Sequence, residues 1–199
     1  RITEKALAEL DFLAVVDTMP MEITGYADVI LPECTYIERY DDIRIAQNRV
    51  PTLALRVPAA KPKYQSRPGW QIAQKLAKEY SLFWNNERLA KAKAKNLTPI
   101  QVYILASIVH KETAKIDERP TVAGVYLNRL QQDMPLQADP TVIYAIKKRS
   151  GDFDQEIKRV FYNDLRINSP YNTYTNKGLP PGPIAMPDVS AIDAVLNAV

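Results

Sequence analysis

The chain has 199 residues with 26 basic and 23 acidic side chains; a net charge of +3 implies no strong attraction to nucleic acid or an anionic membrane. Apolar content of 46% and charged content of 25% are those of a globular protein with a real core, in one or two domains. One cysteine, Cys34, and one histidine, His110, exclude an internal disulfide, a multi-cysteine zinc site, a self-contained iron–sulfur site and a histidine-cluster metal site. No apolar run approaches the roughly 18 residues of a membrane span, and the N-terminus lacks the apolar core of a signal peptide. With no initial Met and a helix-like final stretch, Ser190–Leu196, the chain reads as a fragment.

Residues 1 to 80 have α/β character. Glu4–Glu9 reads as a short helix, and Leu10–Val16 is a continuous apolar run of strand length ending at Asp17. Such a run suits a strand covered on both faces in a parallel sheet. Ala27–Leu31 reads as a second strand, stopped by Pro32, and Thr18–Tyr26 as the loop or short helix between them. Open α/β sheets bind ligands at the carboxyl ends of their strands, so Asp17, Thr18 and Thr24 are candidates for contact with a nucleotide-like group, or else helix caps. Arg56–Arg67 is a Pro- and Lys-rich extended connection, and Trp70–Tyr80 an amphipathic helix.

The runs Leu10-Asp-Phe-Leu-Ala-Val-Val-Asp17 and Met21-Glu-Ile-Thr-Gly-Tyr-Ala-Asp-Val-Ile-Leu-Pro-Glu-Cys-Thr-Tyr-Ile-Glu-Arg39 resemble part of the large subunit of molybdopterin oxidoreductases, of the thiosulfate/polysulfide reductase type. The resemblance covers roughly residues 6–79, a small slice of such a subunit. It implies a Rossmann-like fragment whose intact parent holds molybdopterin guanine dinucleotide near Asp17 and Thr24. The family's molybdenum ligand and cluster cysteines lie outside the slice, and Cys34 does not match the ligand position, which implies no redox activity for this half.

From residue 81 the pattern becomes helical. Asn86–Lys95 is a basic, Ala-rich helix. Thr98–Lys115 opens with an N-cap threonine, Pro99 at the first helical position and Gln101 completing a capping box. Its apolar positions, Val102, Leu105, Ile108 and Val109, form one stripe, and the next step along it is Glu112. A carboxylate in that place is expected to be buried, with a raised pKa suited to a general acid; the alternative is a rim position paired to Lys111 or Lys115. A further helix starts near Arg119–Pro120 and carries Val122, Val125, Tyr126 and Leu130. Asp139–Pro140 repeats the N-cap-plus-proline start for Thr141–Lys148. After a loop at Ser150–Asp154 and a short helix come two polar or proline-dense loops, Ser169–Tyr174 and Gly178–Ile184.

These loops and Leu136–Thr141 are rich in groups that recognise sugars. Gln137, Asn172 and Thr173 can exchange hydrogen bonds with hydroxyl and acetamido groups, and Tyr144, Tyr171 and Tyr174 can stack on a pyranose face. The prolines of the third loop, Pro181 beside Gly182 among them, limit its conformations, so little entropy is lost in framing a groove. Each residue has a plainer role open to it: Asp139 as an N-cap, Tyr144 in the core, Gly178 as a helix stop.

The series Ala106-Ser-Ile-Val-His-Lys-Glu-Thr-Ala114, Arg119-Pro-Thr-Val-Ala-Gly-Val-Tyr-Leu-Asn-Arg-Leu130, Met134-Pro-Leu-Gln-Ala-Asp-Pro-Thr-Val-Ile-Tyr144, Ser169–Tyr174 and Gly178–Ile184 resembles the MltG/YceG-type endolytic murein transglycosylases over roughly residues 83–197. The resemblance implies cleavage of the MurNAc–GlcNAc bond of peptidoglycan strands to leave 1,6-anhydro ends, with no cofactor and no metal. It places the catalytic glutamate on Glu112, with His110 where the motif has its first acidic residue. Gln137, Asp139, Thr141, Tyr144, Tyr171, Asn172, Thr173, Tyr174, Pro181 and Gly182 are its substrate-binding positions. Family members are membrane-anchored and work beside cell-wall synthases at the periplasmic face of the inner membrane; anchor and LysM-like module are not in this sequence, nor is the family's C-terminal continuation. The whole is thus expected to be an α+β composite, a fusion near Tyr80–Leu82 of a molybdopterin oxidoreductase-like fragment (1–80) and a mainly helical, truncated transglycosylase domain (81–199). A reductase fragment and an inactive glycan-binding module are the alternatives.

Overall fold

The structure is a computed structural model and describes residues 10, 13–40, 43–46, 52–55 and 57–198, with side chains described outside 43–46 and 52–55. The helix expected at Glu4–Glu9 lies outside the described residues. The chain forms two compact units, residues 1–83 and 84–199.

In the first unit, β1 (Ala14–Asp17) pairs in parallel with β2 (Val29–Pro32), Ala14 opposite Val29. The connection holds a short 3-10 turn, Glu22–Tyr26. The apolar runs do make strands, but coverage on both faces is not found: Val15 is buried, whereas Val16, Val29 and Ile30 are exposed. An antiparallel hairpin, β3 (Ile43–Ala46) with β4 (Thr52–Leu55), departs from the all-parallel expectation. Its four-residue strands are too short to stand out as a periodic pattern. Helix α1 (Gly69–Phe83) begins on the Glu33 carboxylate, which accepts from the Gly69 N–H at 3.2 Å and pairs with Arg39. A side chain at position 69 would meet that carboxylate at 2.9 Å, so the Glu33 side chain would have to shift to make room for it. No residue of α1 is buried; Trp70, Leu76 and Tyr80 lie exposed.

The second unit is helical: α2 (Asn86–Ala94), α3 (Pro99–Glu112), α4 (Arg119–Gln131), α5 (Asp139–Ser150) and α6 (Val189–Asn197). Helix α3 starts as the sequence dictates. Thr98 Oγ1 accepts from the Gln101 N–H at 3.3 Å, and Gln101 Oε1 accepts from the Thr98 N–H at 2.8 Å. It is the central helix, packed by α2, α4, α5 and α6. Burial therefore extends beyond one stripe to Ile104, Ala106 and Ser107, as a helix surrounded by neighbours requires. Helix α4 buries Arg119, Ala123, Gly124, Tyr126 and Leu127 and leaves the expected core residue Val125 exposed. Helix α5 is N-capped at Ala138 without a side-chain cap, so Asp139 is its first residue and not its cap. It ends at Gly151, whose φ of 74° is the left-handed conformation glycine accepts at a helix stop. Gly178 turns the chain at φ 81° but stops no helix.

Candidate active site

Glu112 is the last residue of α3, and its side chain is exposed. The buried stripe stops at Val109, one turn earlier. Burial of Glu112 is thus not found in the free protein. Neither of the expected rim pairs forms: Lys115 binds Glu118 at 2.8 Å, while Glu112 Oε2 accepts from the Tyr126 hydroxyl at 2.8 Å. Tyr126 lies on α4 with only 5% of its surface exposed. Burial, then the charge of Glu112 and the hydrogen bond to it, push its phenol well above the usual tyrosine range, so it remains a donor.

A second tyrosine–carboxylate pair stands beside the first. The Tyr174 hydroxyl donates to Asp139 Oδ1 at 2.5 Å. Burial and the bond to Asp139 raise its pKa to about 12; the charge of Glu112 adds to the rise, and Arg129 opposes it. Glu112 and Arg129 act in the same two senses on Tyr126. Glu112, Tyr126, Asp139, Tyr174 and Arg129 therefore share one electrostatic neighbourhood.

Other predicted residues hold the loops around it. Thr141, Asn172 and Thr173 are fully buried. Thr173 Oγ1 accepts from the Ala138 N–H at 3.1 Å and meets Thr141 Oγ1 at 2.8 Å, while its carbonyl accepts from the Gln137 N–H at 3.0 Å. Asn172 Nδ2 donates to the carbonyls of Leu165 and Ile167, and its Oδ1 accepts from the Tyr174 N–H. With their polar groups satisfied inside, these side chains shape loops and present none of themselves to a ligand. Gln137 is exposed and held at a φ of 53°. Tyr171 is buried against Tyr144, ring centroids 4.7 Å apart, with the Lys148 ammonium 4.8 Å from the Tyr171 ring. Gly182 is buried and Pro181 exposed.

Sequence reasoning missed three contributors. Ser107 in α3 accepts from the Ile184 N–H at 3.0 Å, tying the Pro-rich loop to the helix that ends in Glu112. Tyr126 sits in an apolar helix pattern, and only its hydroxyl distinguishes it from a plain core residue. Buried Arg119 grips Asp188, the N-cap of α6, at 2.7 and 2.8 Å, and lies 3.5 Å from His110 Nδ1. His110 is also 3.4 Å from Asp188, so it faces this clamp two residues before Glu112.

A cleft of about 390 Å³ borders the site. It is lined by Lys111, next to Glu112, and Pro140, next to Asp139, with Tyr144, Lys147, Phe153 and Ile184. A second, of about 400 Å³, lies between Lys148, Arg149, Tyr171 and Pro181.

In the first unit, Asp17 Oδ1 accepts from the Thr18 N–H at 2.7 Å, and the Thr24 hydroxyl both accepts from and donates to the Met21 backbone. Cys34 is buried, and no cluster of three or more metal-ligating side chains occurs among the described residues. The polar groups at Asp17 and Thr24 are thus engaged in local hydrogen bonds to backbone.

Residues 61–199 match the model of the YceG-like family, and residues 2–79 that of molybdopterin oxidoreductases. The chain is 40% identical over 124 residues to an endolytic murein transglycosylase of Streptococcus pneumoniae, covering 61% of this chain and 21% of that protein. Over 78 residues it is 36% identical to the molybdopterin-containing subunit of a thiosulfate reductase of Salmonella typhimurium, covering 39% of this chain and 10% of that protein. A crystal structure of a yceG-like protein from Listeria monocytogenes aligns with a TM-score of 0.53 and 31% identity, over 74% of this chain and 45% of that one. The chain thus spans about a fifth of the curated transglycosylase it matches. Among the described residues no helix is long and apolar enough to cross a membrane.

Proposed function

The chain belongs to the YceG-like family, and from that membership we propose that it serves as a lytic peptidoglycan transglycosylase, cleaving the MurNAc–GlcNAc bond within glycan strands to leave 1,6-anhydro-MurNAc ends. Glu112 is the catalytic residue. Protonated, it gives its proton to the glycosidic oxygen as the bond to C1 breaks; as the carboxylate, it takes the proton of the C6 hydroxyl, whose oxygen closes on C1. Every atom is accounted for without water, so no second carboxylate is needed to activate one. Asp139, held by Tyr174, lies in the same field and stabilises positive charge developing at the anomeric carbon. A glycan strand across the site excludes water from Glu112, which is exposed in the free protein.

The observation that carries this reading is the Tyr126 hydroxyl fixed on Glu112 at 2.8 Å beside the Asp139–Tyr174 pair. The substrate is peptidoglycan, which places the site of action in the cell envelope. For the first unit, the parallel β1–β2 pair supports a fragment of a Rossmann-like sheet, and no reaction is assigned to it.

The test is digestion of purified peptidoglycan followed by mass spectrometry. Anhydro-muropeptides are expected, and Glu112→Gln is expected to lower their rate by about 10²–10⁴-fold, the range of one acid–base group. Reducing ends would make the protein a hydrolase, retention on peptidoglycan without products a binding module, and full activity in Glu112→Gln would remove the mechanism.

A further inference from the structure

The cleft bordering the site has walls of one chemical kind and a rim of another. Ile143, Tyr144, Phe153 and Ile184 make its walls apolar, Lys111 and Lys147 supply two ammonium groups, and no acidic side chain lines it. Lys147 Nζ donates to the Phe153 carbonyl at 2.9 Å, which holds it at the rim and leaves two of its three donor hydrogens for a ligand. Lys111 is exposed and has no hydrogen-bond or ion-pair partner among the described residues. The cleft adjoins both carboxylates in sequence, through Lys111 beside Glu112 and through Pro140 beside Asp139. An uncharged sugar ring offers such a rim hydroxyl acceptors but no charge to pair with its two ammonium groups. A short alkyl-bearing carboxylate would complement it, with methyl groups against the walls and the charge between the lysines.

A muramyl residue differs from its GlcNAc neighbour by the lactyl ether that carries a short acidic peptide. We propose that this cleft is a subsite for that peptide substituent, its carboxylate paired by Lys111 and Lys147, so that the protein distinguishes peptide-bearing strands from bare ones. This rests on the reading of the substrate as peptidoglycan. The second cleft, also basic, lacks the link to Glu112 and Asp139, and its Lys148 is stacked on the Tyr144 and Tyr171 rings.

The experiment titrates the full chain with N-acetylmuramyl-L-alanyl-D-glutamate and, separately, with the same compound as its dimethyl ester, which has no free carboxylate, by calorimetry. The acid is expected to bind wild-type protein more tightly than the ester. Lys111→Ala and Lys147→Ala are each expected to weaken the acid about fivefold, as for an exposed ion pair, and to leave the ester unchanged. No binding of the acid by wild type, equal binding of acid by wild type and variants, or equal loss for acid and ester would each overturn the assignment. Glu112→Gln keeps the binding whatever happens to cleavage. Carboxylate-dependent binding without anhydro products would therefore sink the proposed reaction and leave the subsite standing, whereas anhydro products without such binding do the reverse.

Discussion

At the scale of residues, what decides the site is which side chain holds Glu112. Tyr126 does so from inside the bundle, and its phenol stays a donor because burial and the neighbouring carboxylate both oppose ionisation. Tyr126→Phe keeps the ring in the core and removes one charge-assisted hydrogen bond, a contribution of about 1.5–3 kcal/mol. Initial rates on peptidoglycan should show kcat falling roughly 10- to 100-fold at an unchanged KM, since the ring still packs and only the carboxylate loses its hold. A fall in melting temperature large enough to unfold the unit would instead make Tyr126 a core residue alone. Glu112 is legible in the sequence through its place in a motif, but the burial that its periodicity implies is absent, its side chain being exposed. A stripe of apolar residues says which face of a helix is covered and nothing about where the neighbouring helices end. For the same reason Thr141, Asn172 and Thr173 looked like sugar ligands: the table of donors and acceptors is the same whether a side chain points outward or staples two loops.

Among elements, α4 and α6 meet through one clamp. Arg119 reaches from the first turn of α4 to Asp188, which caps α6 by accepting from the Ala191 N–H at 2.9 Å. The hydrogen bond from Arg119 above all, with that backbone bond, holds the Asp188 carboxyl well below its ordinary value of 3.8. A depressed pKa contributes stability that is present above the unfolded value and lost as pH falls towards the folded one. Thermal melts at stepped pH should therefore show wild type losing stability below about pH 3.8 faster than Asp188→Asn, which has no such proton to take up. Identical pH dependence in the two would mean that the clamp does not contribute. Local signals made the helices legible: the Thr98–Gln101 capping box, prolines in first turns and Gly151 after α5 all act within four residues. The clamp spans 69 residues and joins an arginine at a helix start to an aspartate before another, each of which alone looks like a surface charge.

For the whole molecule, the second unit, residues 84–199, lies wholly within the YceG-like match, which also takes in residues 61–83 of the first unit. The core of the second, from Val102 and Leu105 to Val195 and Leu196, draws on its own helices. Residues 84–199 expressed alone should therefore unfold in one cooperative transition with the helical circular dichroism expected of α2–α6; loss of that transition would show that the first unit is required. Amplification across the codons for residues 75–85 from source DNA should yield one continuous product if the joined arrangement is natural, and none if it is not. The fastening of α6 carries a further consequence for the chain as it is made. Arg88 on α2 bonds Asp193 on α6 across 105 residues, and α6 covers the apolar α3. At roughly 5–20 residues per second, a ribosome takes roughly 5–20 s to travel that span. From its own synthesis until α6 follows, Val102–Val109 lacks part of its cover, and the nascent chain is therefore expected to be a client for chaperones that shield exposed apolar helices.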